Sequence, residues 1–170
     1  MSNFHEVDVA TLSVDAVSLW SKQWLLLTAG SSDDFNMMTV GWGSIGCMWG
    51  KPFVQVVVRP QRYTRKYMDE FDTFTLCAFP EKYKKDLGIL GAISGKDGDK
   101  LSQTSLTTLN SKTIASPSYN EASLVLECRK IYRQVMDPKG FVDAAIQANY
   151  PDDDYHIIYF GEILAAFEAE

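Results

Sequence analysis

The chain has 170 residues, of which 46% are hydrophobic, and its 22 acidic residues against 16 basic ones give a net charge of -6. This length encloses one sizeable core and is too short for two comfortable domains, so we expect one domain over residues 1–170. The negative charge disfavours nonspecific adhesion to nucleic acid and to anionic lipid. The N-terminus lacks a secretory signal, and no apolar run approaches the roughly 18 residues of a membrane span, so the sequence predicts a cytoplasmic protein.

The N-terminal third predicts one helix and three extended segments. Residues 13–23 have the spacing of a short amphipathic helix with Ser13 as its N-cap. Residues 24–30 are mostly apolar and predict a buried strand. Residues 36–46 are extended and interrupted by glycine, while the β-branched run at 53–60 is the clearest strand and ends at a proline.

In the middle of the chain, two predicted helices flank a strand. Residues 64–71 predict a short helix, 74–80 a strand and 81–94 a second helix. The loop at 94–100, SGKDGDK, combines glycines with charges, which excludes it from a packed interior. Residues 101–120 are rich in Ser and Thr, and their structure stays ambiguous.

The C-terminal part predicts two long strands, at residues 123–135 and 155–168, the second with a kink at Gly161. Residues 137–151 between them predict one helix. Five or six strands joined by short helices, without regular alternation of strand and helix, indicate a mainly β fold. We expect an antiparallel barrel with short peripheral helices.

A basic window interrupts this acidic chain. Between Asp34 and Asp69 there is no acidic residue, and every charge in the interval is positive: Lys51, Arg59, Arg62, Arg65 and Lys66. Glycines and hydroxyl side chains occupy the same window. A phosphate group requires fixed positive charge, hydroxyl donors and exposed backbone N–H groups, so the window predicts a site for a small anion.

Residues 41–46 match the GxGxxG pattern of dinucleotide-binding Rossmann folds. That pattern must open a helix whose N-terminus receives the pyrophosphate, and here Gly50 and Pro52 break any helix before its second turn. We therefore exclude a Rossmann fold. We expect the glycines to bend a barrel strand, and a strand without side chains also lets a flat ring lie against its backbone.

FMN requires charge-assisted donors for its phosphate and an apolar bed for its isoalloxazine ring. The window offers Arg62 and Thr64 just beyond a strand end, with Arg65 and Lys66 in the following helix. On spacing alone, the alternative that these bases only solvate a short helix stays open.

Three segments in this order carry a resemblance to a known family: NMMT at 36–39, RYT at 62–64 and SGKDGDK at 94–100. Over nearly its whole length, the chain resembles the flavin reductase-like family of FMN-binding split β-barrels, which includes flavoredoxin and ferric reductase relatives. The resemblance implies a split barrel of Greek-key type and a homodimer with FMN near the subunit interface. It also implies NADH or NADPH as a transient electron donor.

The resemblance further implies a set of cofactor-binding residues: Asn36, Met37, Met38, Thr39, Ser44, Ile45, Gly46, Cys47, Arg62, Thr64, Ser94 and Lys100. The first four line the flavin, mostly through their main chain, and the next four border the isoalloxazine. Arg62 and Thr64 hold the phosphate. Ser94 sits close to the cofactor, with Lys100 as a second cation.

The remaining single residues are read mainly as structural. Cys47 is expected to be a small buried hydrophobe without a covalent role, and three widely separated cysteines fit a reduced compartment. His156 either points toward the cleft or is a satisfied structural histidine, and the second reading is favoured. No Cys/His spacing matches a metal site. Trp49 is nominated as a cofactor or dimer contact.

Two functions stay open. The first is an FMN-dependent oxidoreductase that passes electrons from NADH, NADPH or another donor to a flavin, a ferric chelate or a redox partner protein. The second is an electron carrier of the flavoredoxin type without nicotinamide turnover of its own. Hydride transfer to flavin needs stacking geometry rather than a protein nucleophile, so the lack of an evident nucleophile and base pair suits this chemistry. A barrel that binds single-stranded nucleic acid is disfavoured by the net charge.

Overall fold

The computed structural model describes residues 4–170 and is built on one antiparallel sheet. Within this range the strands are β1 (Phe4–Val7), β2 (Leu25–Gly30), β3 (Phe35–Val40), β4 (Gly43–Met48), β5 (Lys51–Val58), β6 (Thr73–Ala78), β7 (Thr108–Leu109), β8 (Ser118–Tyr119), β9 (Leu124–Val135) and β10 (Ile157–Ala169). The main sheet has the order β3-β2-β6-β9-β10-β5-β4, and β1 pairs with β10. The short strands β7 and β8 form a separate pair.

The main sheet curls into a barrel around its larger apolar core. Inward side chains such as Leu27, Val56 and Leu126 are fully buried in one cluster. Val40 of β3 and Ile45 of β4, from the two ends of the strand order, pack into that same cluster. Because β3 and β4 do not pair with each other among the described strands, the barrel is split along the seam between them.

Short helices cover the outside of the barrel. They are α1 (Ala16–Ser18), a π-helical turn that continues it (Leu19–Gln23), α2 (Thr64–Glu70) and α3 (Lys84–Ala92). Helix α3 buries Leu87 and Leu90 in a second apolar cluster with Leu26 and Phe167 from the sheet. Within residues 4–170, no helix is both long and apolar enough to cross a bilayer.

The predicted mainly β, antiparallel architecture with short peripheral helices is confirmed. The strands predicted at 24–30, 53–60 and 74–80 match β2, β5 and β6 closely. The predicted kink at Gly161 stays a prediction, because the β9–β10 register shift between Phe160 and Gly161 leaves Ile131 of β9 unpaired, while β10 keeps a continuous register with β5 there. The bulge in β10 lies further on, between Ile163 and Ala165, where Leu164 has no partner in β9, and a bulge bends the strand that carries the extra residue.

Two predicted helices differ from the structure. The first is capped by Asp15, not by Ser13, because the Asp15 carboxylate accepts a hydrogen bond from a backbone N–H three residues further on. Residues 137–151 form two short 3-10 turns, Pro138–Gly140 and Ala144–Asn149, rather than one helix. An aspartate precedes each turn and accepts a backbone N–H two residues on, which favours a turn over a continuous helix.

Two strand predictions are also refined. The extended run 36–46 forms two strands, β3 and β4, because the chain breaks from the sheet at Gly41 and Trp42. Sequence reasoning missed β1 altogether, which pairs with the end of β10. That strand is short, and only its first residue, Phe4, is buried, so its apolar pattern is weak.

Gly161 provides a test of the packing. A Cβ atom there would lie 2.4 Å from Cζ of Phe74, so Gly161→Ala forces the buried ring or the strand to move. We expect the free energy of unfolding, measured by urea denaturation, to fall by about 1–3 kcal/mol. Gly88→Ala is the matched control, because nothing lies within 4 Å of its added Cβ and a helical Gly-to-Ala change stabilises by up to about 1 kcal/mol. Equal stability of the two variants would contradict the steric explanation.

Candidate functional site

A buried polar network is centred on the main-chain carbonyl of Met37, on β3. This oxygen accepts hydrogen bonds from Nζ of Lys100 at 2.5 Å and from Oγ1 of Thr64 at 3.1 Å. The side-chain amide of Asn36 donates to the Thr64 hydroxyl oxygen at 2.7 Å. All three side chains belong to buried residues. The structure therefore brings four of the predicted cofactor-binding residues into direct contact.

All three hydrogens of the Lys100 ammonium group are donated in hydrogen bonds to backbone carbonyls of the protein. Besides Met37, it donates to the carbonyl oxygens of Leu90 at 3.1 Å and Ile93 at 3.2 Å, at the C-terminal end of α3. Carbonyls at a helix C-terminus lack intrahelical partners and carry partial negative charge, so a cation satisfies them. Burial of the ammonium, together with the positive charge of Arg62, lowers the pKa of Lys100 to about 8.

The position of Lys100 changes the interpretation of the loop 94–100. The sequence excludes this loop from the packed interior, yet its last residue is only 4% exposed. The interior position is possible because three carbonyls satisfy the ammonium, and a buried charge without such partners would be very costly. The role of Lys100 as a second cation for a ligand stays a prediction, and a direct hydrogen bond to that ligand requires the ammonium to release one of these carbonyls.

Arg62 reaches the same helix end. Its Nη2 donates to the carbonyl oxygen of Gly91 at 2.6 Å, and its half-buried position lowers the pKa of the guanidinium from its usual value. Within residues 4–170, this is the one hydrogen bond of the guanidinium, which has five N–H donors. The side chain also borders a cleft of about 450 Å³. Arg62 thus keeps free donors beside an open space, whereas Thr64 has already donated its hydroxyl hydrogen to Met37.

Three other side chains of β3 are engaged within the protein. Met37 packs in the apolar cluster beneath α3, and Met38 packs inside the barrel. The hydroxyl of Thr39 donates to the carbonyl oxygen of Leu87 in α3 at 2.5 Å. These engagements leave the main chain of the segment as the simplest contact for a ligand, and the predicted main-chain mode of contact stays a prediction.

Strand β4 carries the second predicted group, Ser44 to Cys47, and presents it differently. The Ser44 hydroxyl donates to Oε1 of Gln55 at 3.1 Å, and Ile45 packs against the barrel core. Gly46 and Cys47 are exposed. The expectation of a buried Cys47 is therefore wrong, because β4 ends the strand order and nothing in the described chain covers its outer face at this residue.

A cavity of about 240 Å³ lies at the seam between the two groups. Met38 and Thr39 line it together with six residues outside the predicted set, among them Trp42, Arg59 and His156. Trp42 is 52% exposed, and its ring centroid lies 5.3 Å from that of His156. The fold brings Trp42, Arg59 and His156 together from three distant parts of the sequence, so no local sequence pattern predicts that they share a cavity.

His156 is held as a neutral imidazole. Its Nδ1 lies 2.9 Å from the hydroxyl oxygen of Tyr150. Burial, and the nearby charge of Arg59, lower the pKa of His156 to about 4. The favoured reading of a satisfied structural histidine fits this pairing, and the other reading also has support because the ring borders the seam cavity.

The loop 94–100 packs directly on the network around Met37. A Cβ atom at Gly95 would lie 2.1 Å from Oδ1 of Asn36, so only glycine permits this approach. Ser94, just before it, accepts a hydrogen bond from the Lys96 N–H at 3.2 Å and shapes the turn. Ser94 is thus near the network, while its predicted contact with a cofactor stays a prediction.

Taken together, the predicted residues form an open band rather than one closed pocket. Among residues 4–170, they border at least five separate cavities: one at Arg62, one at Asn36 and Lys100, one at the seam, one between Thr39 and α3, and a groove of about 780 Å³ beside β4. Within residues 4–170 there is no group of His, Cys, Asp and Glu side chains that could hold a metal ion. A long, flat ligand with a charged end suits such a band better than a compact one.

Comparison with known proteins identifies the family of the chain. The chain matches the family described as flavin reductase like domain over residues 18–170. An uncharacterised protein of Pyrococcus abyssi (strain GE5 / Orsay) is 26% identical over 148 residues, which cover 86% of this chain and 74% of the relative.

Two solved structures have the same fold. An FMN-binding domain of a flavin reductases-like enzyme from Shewanella baltica OS155 has a TM-score of 0.71 at 19% identity, covering 98% of this chain and 78% of that chain. Flavoredoxin from Methanosarcina acetivorans has a TM-score of 0.69 at 24% identity, covering 87% and 69%.

Lys100→Met separates two roles for this lysine. If the ammonium mainly joins β3 to α3, its removal leaves three carbonyls unsatisfied, and we expect the ligand-free protein to lose about 1–3 kcal/mol of unfolding free energy in urea. Lys96→Met, at an exposed lysine of the same loop, is the control and should change stability by less than about 0.5 kcal/mol. Unchanged stability of Lys100→Met, with weaker FMN binding, would instead support the role of a second cation.

Proposed function

Because the chain belongs to the flavin reductase-like family, we propose that it is an FMN-binding flavoprotein oxidoreductase. It takes electrons from NADH, NADPH or another donor and passes them to a flavin, a ferric chelate or a partner protein. When bound, FMN supplies the reversible acceptance of a hydride and the release of its electrons. The observation that carries the proposal is the band of predicted residues that runs from Arg62 to β4.

The residues present fit FMN. At one end, Arg62 offers unused N–H donors beside an open cleft, and charge-assisted hydrogen bonds are the strong contacts to phosphate. At the other end, the seam offers main chain from β3 and the exposed strand β4, where Gly46 leaves the backbone bare. A flat ring can approach such a surface closely.

The roles of the chain's own residues follow from these positions. Arg62 binds the phosphate, and the main chain of β3 and β4 orients the ring. Thr64 and Lys100 both donate hydrogen bonds to the carbonyl oxygen of Met37, and we expect them to hold the β3 backbone in place for the ligand. His156 stays neutral above about pH 4, so it offers a hydrogen-bonding group at the seam rather than a charge.

We also propose a homodimer with FMN near its interface. Large apolar side chains are exposed on or next to the strands β4, β9 and β10: Trp42, Met48, Trp49, Tyr132, Val135 and Leu164. Trp49 is 61% exposed and packs its ring 6.0 Å from those of Tyr132 and Phe160. A second copy over this surface would cover the open side of the band, and light scattering of the purified protein measures whether the dimer forms.

The alternative function is an electron carrier without nicotinamide turnover, and the structural similarity to a flavoredoxin supports considering it. Anaerobic mixing of the FMN-loaded protein with NADH or NADPH distinguishes the two. We expect prompt loss of the oxidised flavin absorbance with one of the nicotinamides. If only a reduced protein donor bleaches the flavin, the protein is a carrier, and if the protein never binds FMN, both proposals fail.

Arg62→Ala tests the phosphate contact. We expect FMN binding to weaken by about 1.5–3 kcal/mol, the typical contribution of a charge-assisted bond, as measured by fluorescence titration of FMN. Arg129→Ala is the matched control, because Arg129 is paired with Glu162 at 2.7 Å on the sheet and lies outside the proposed site. Full FMN binding by the folded Arg62→Ala variant would show that Arg62 is not the phosphate anchor.

A further inference from the structure

The segment between β9 and β10 buries a single side chain. Among residues 137–155, only Tyr150 is buried, at 2% exposure, and the residues on either side of it are exposed. The segment forms two short 3-10 turns and no strand, so it makes no sheet pairing with the barrel. A buried tyrosine in such a segment requires a partner for its hydroxyl group.

The hydroxyl of Tyr150 reaches His156, just before β10. Its oxygen lies 2.9 Å from Nδ1 of His156 and 3.4 Å from Sδ of Met136. A hydroxyl has one hydrogen, so it donates either to the imidazole nitrogen or to the thioether sulfur. The nitrogen is the stronger acceptor, because a thioether sulfur accepts hydrogen bonds only weakly.

This hydrogen bond determines where the imidazole carries its own proton. A phenol loses a proton more readily than a neutral imidazole N–H does, and an imidazole nitrogen is a stronger base than a phenol oxygen, so donation from Tyr150 to Nδ1 is favoured over the reverse. Burial and the charge of Arg59 lower the pKa of His156 to about 4, so the ring is neutral at neutral pH. With Nδ1 accepting, the one hydrogen of the neutral ring lies on Nε2.

The second ring nitrogen of His156 has no partner in the described chain. Within residues 4–170, the bond to Tyr150 is the one hydrogen bond of this side chain. Nε2 also keeps some exposure, because the fully buried polar atoms without a partner in this range are Nε1 of Trp20 and Oδ1 of Asp154. Since the ring borders the seam cavity, its Nε2–H is a donor available to a ligand there.

Tyr150 is fixed in place from several sides. Its ring stacks on that of Phe141, with centroids 5.8 Å apart at an interplanar angle of 15°, and lies 5.0 Å from the ring of Tyr155. The guanidinium carbon of Arg59, which is paired with Asp154, lies 5.2 Å from the centroid of the Tyr150 ring. These contacts hold the tyrosine ring and so keep its hydroxyl directed at the histidine.

We propose that Tyr150 is a positioning residue that keeps the proton of His156 on Nε2 and thereby makes the seam cavity a site for a hydrogen-bond acceptor, such as a carbonyl oxygen of a flat ring. The proposal rests on the proposed function for the identity of that ring. A donor at such an oxygen stabilises the negative charge that develops on it when the ring is reduced. The other tautomer would direct a lone pair at the same oxygen and repel it.

Tyr150→Phe tests this role, because it removes the hydroxyl and keeps the stacked ring. Tyr155→Phe is the matched control in the same aromatic cluster, since the hydroxyl of Tyr155 donates to Oδ1 of Asp153 at 2.6 Å. NMR of the ring nitrogens in the ligand-free protein at neutral pH measures the tautomer of His156. The chain has only one other histidine, His5, so a His156→Gln variant assigns the signals.

We expect the wild-type protein and the control to carry the proton on Nε2, and Tyr150→Phe to show a mixture of the two tautomers. The mixture should weaken FMN binding by about threefold to tenfold, as expected for one oriented hydrogen bond, and make the midpoint potential of the bound FMN more negative. The control should change FMN affinity by less than about twofold. Both variants keep their rings, so we expect both to fold, and their melting temperatures verify this.

A wild-type proton on Nδ1 overturns the inference, and so does an unchanged tautomer in the folded Tyr150→Phe variant. A changed tautomer with unchanged FMN affinity and potential also overturns it, because the proton of His156 then has no effect on the ligand. If the wild-type protein does not bind FMN, the proposed function fails, and the tautomer measurements still decide whether Tyr150 determines the position of the proton.

Discussion

The candidate site depends on one buried cation. The ammonium of Lys100 joins the carbonyl of Met37 in β3 to those of Leu90 and Ile93 at the end of α3. Removing an ammonium from water is costly, and three short bonds to carbonyls, two of them at a helix C-terminus, offset that cost. The same contacts fix the loop 94–100 against β3 and α3, and so determine how the cleft, the loop and the seam are arranged.

The split in the barrel determines where a ligand can lie. Strands β3 and β4 end the strand order, so their outer backbone groups have no ladder partner among the described strands. Unpaired strand edges are usually covered, because they otherwise invite association with another chain. Here the chain crosses from one edge to the other through Gly41 and Trp42, and it leaves the seam open beside His156. In the proposed function, a flat cofactor and a second subunit would both cover these unpaired strand edges.

Sequence patterns were sufficient for the barrel but only partly for the site. The β-branched run of β5 and the short apolar run of β2 are typical of buried strands, so local patterns predicted them. Asn36, Thr64 and Lys100 came from segments typical of the family, and the structure brings them into contact. The partners of Lys100 are main-chain carbonyls, and because every residue has one, the sequence does not show which carbonyls bind the lysine. The exposure of Cys47 depends on the position of β4 in the sheet, which no local pattern encodes.

The two cations at the end of α3 also link ligand binding to protonation. The charge of Arg62 is one cause of the lowered pKa of Lys100, so the two groups disfavour each other's charged state. An anion bound at Arg62 would offset that repulsion and favour the charged form of Lys100. By reciprocity, the charged Lys100 favours the anion. We therefore expect Lys100 to contribute to phosphate affinity through its charge even while its hydrogen bonds stay on the backbone, so its predicted role as a second cation is compatible with its contacts to the β3 and α3 carbonyls.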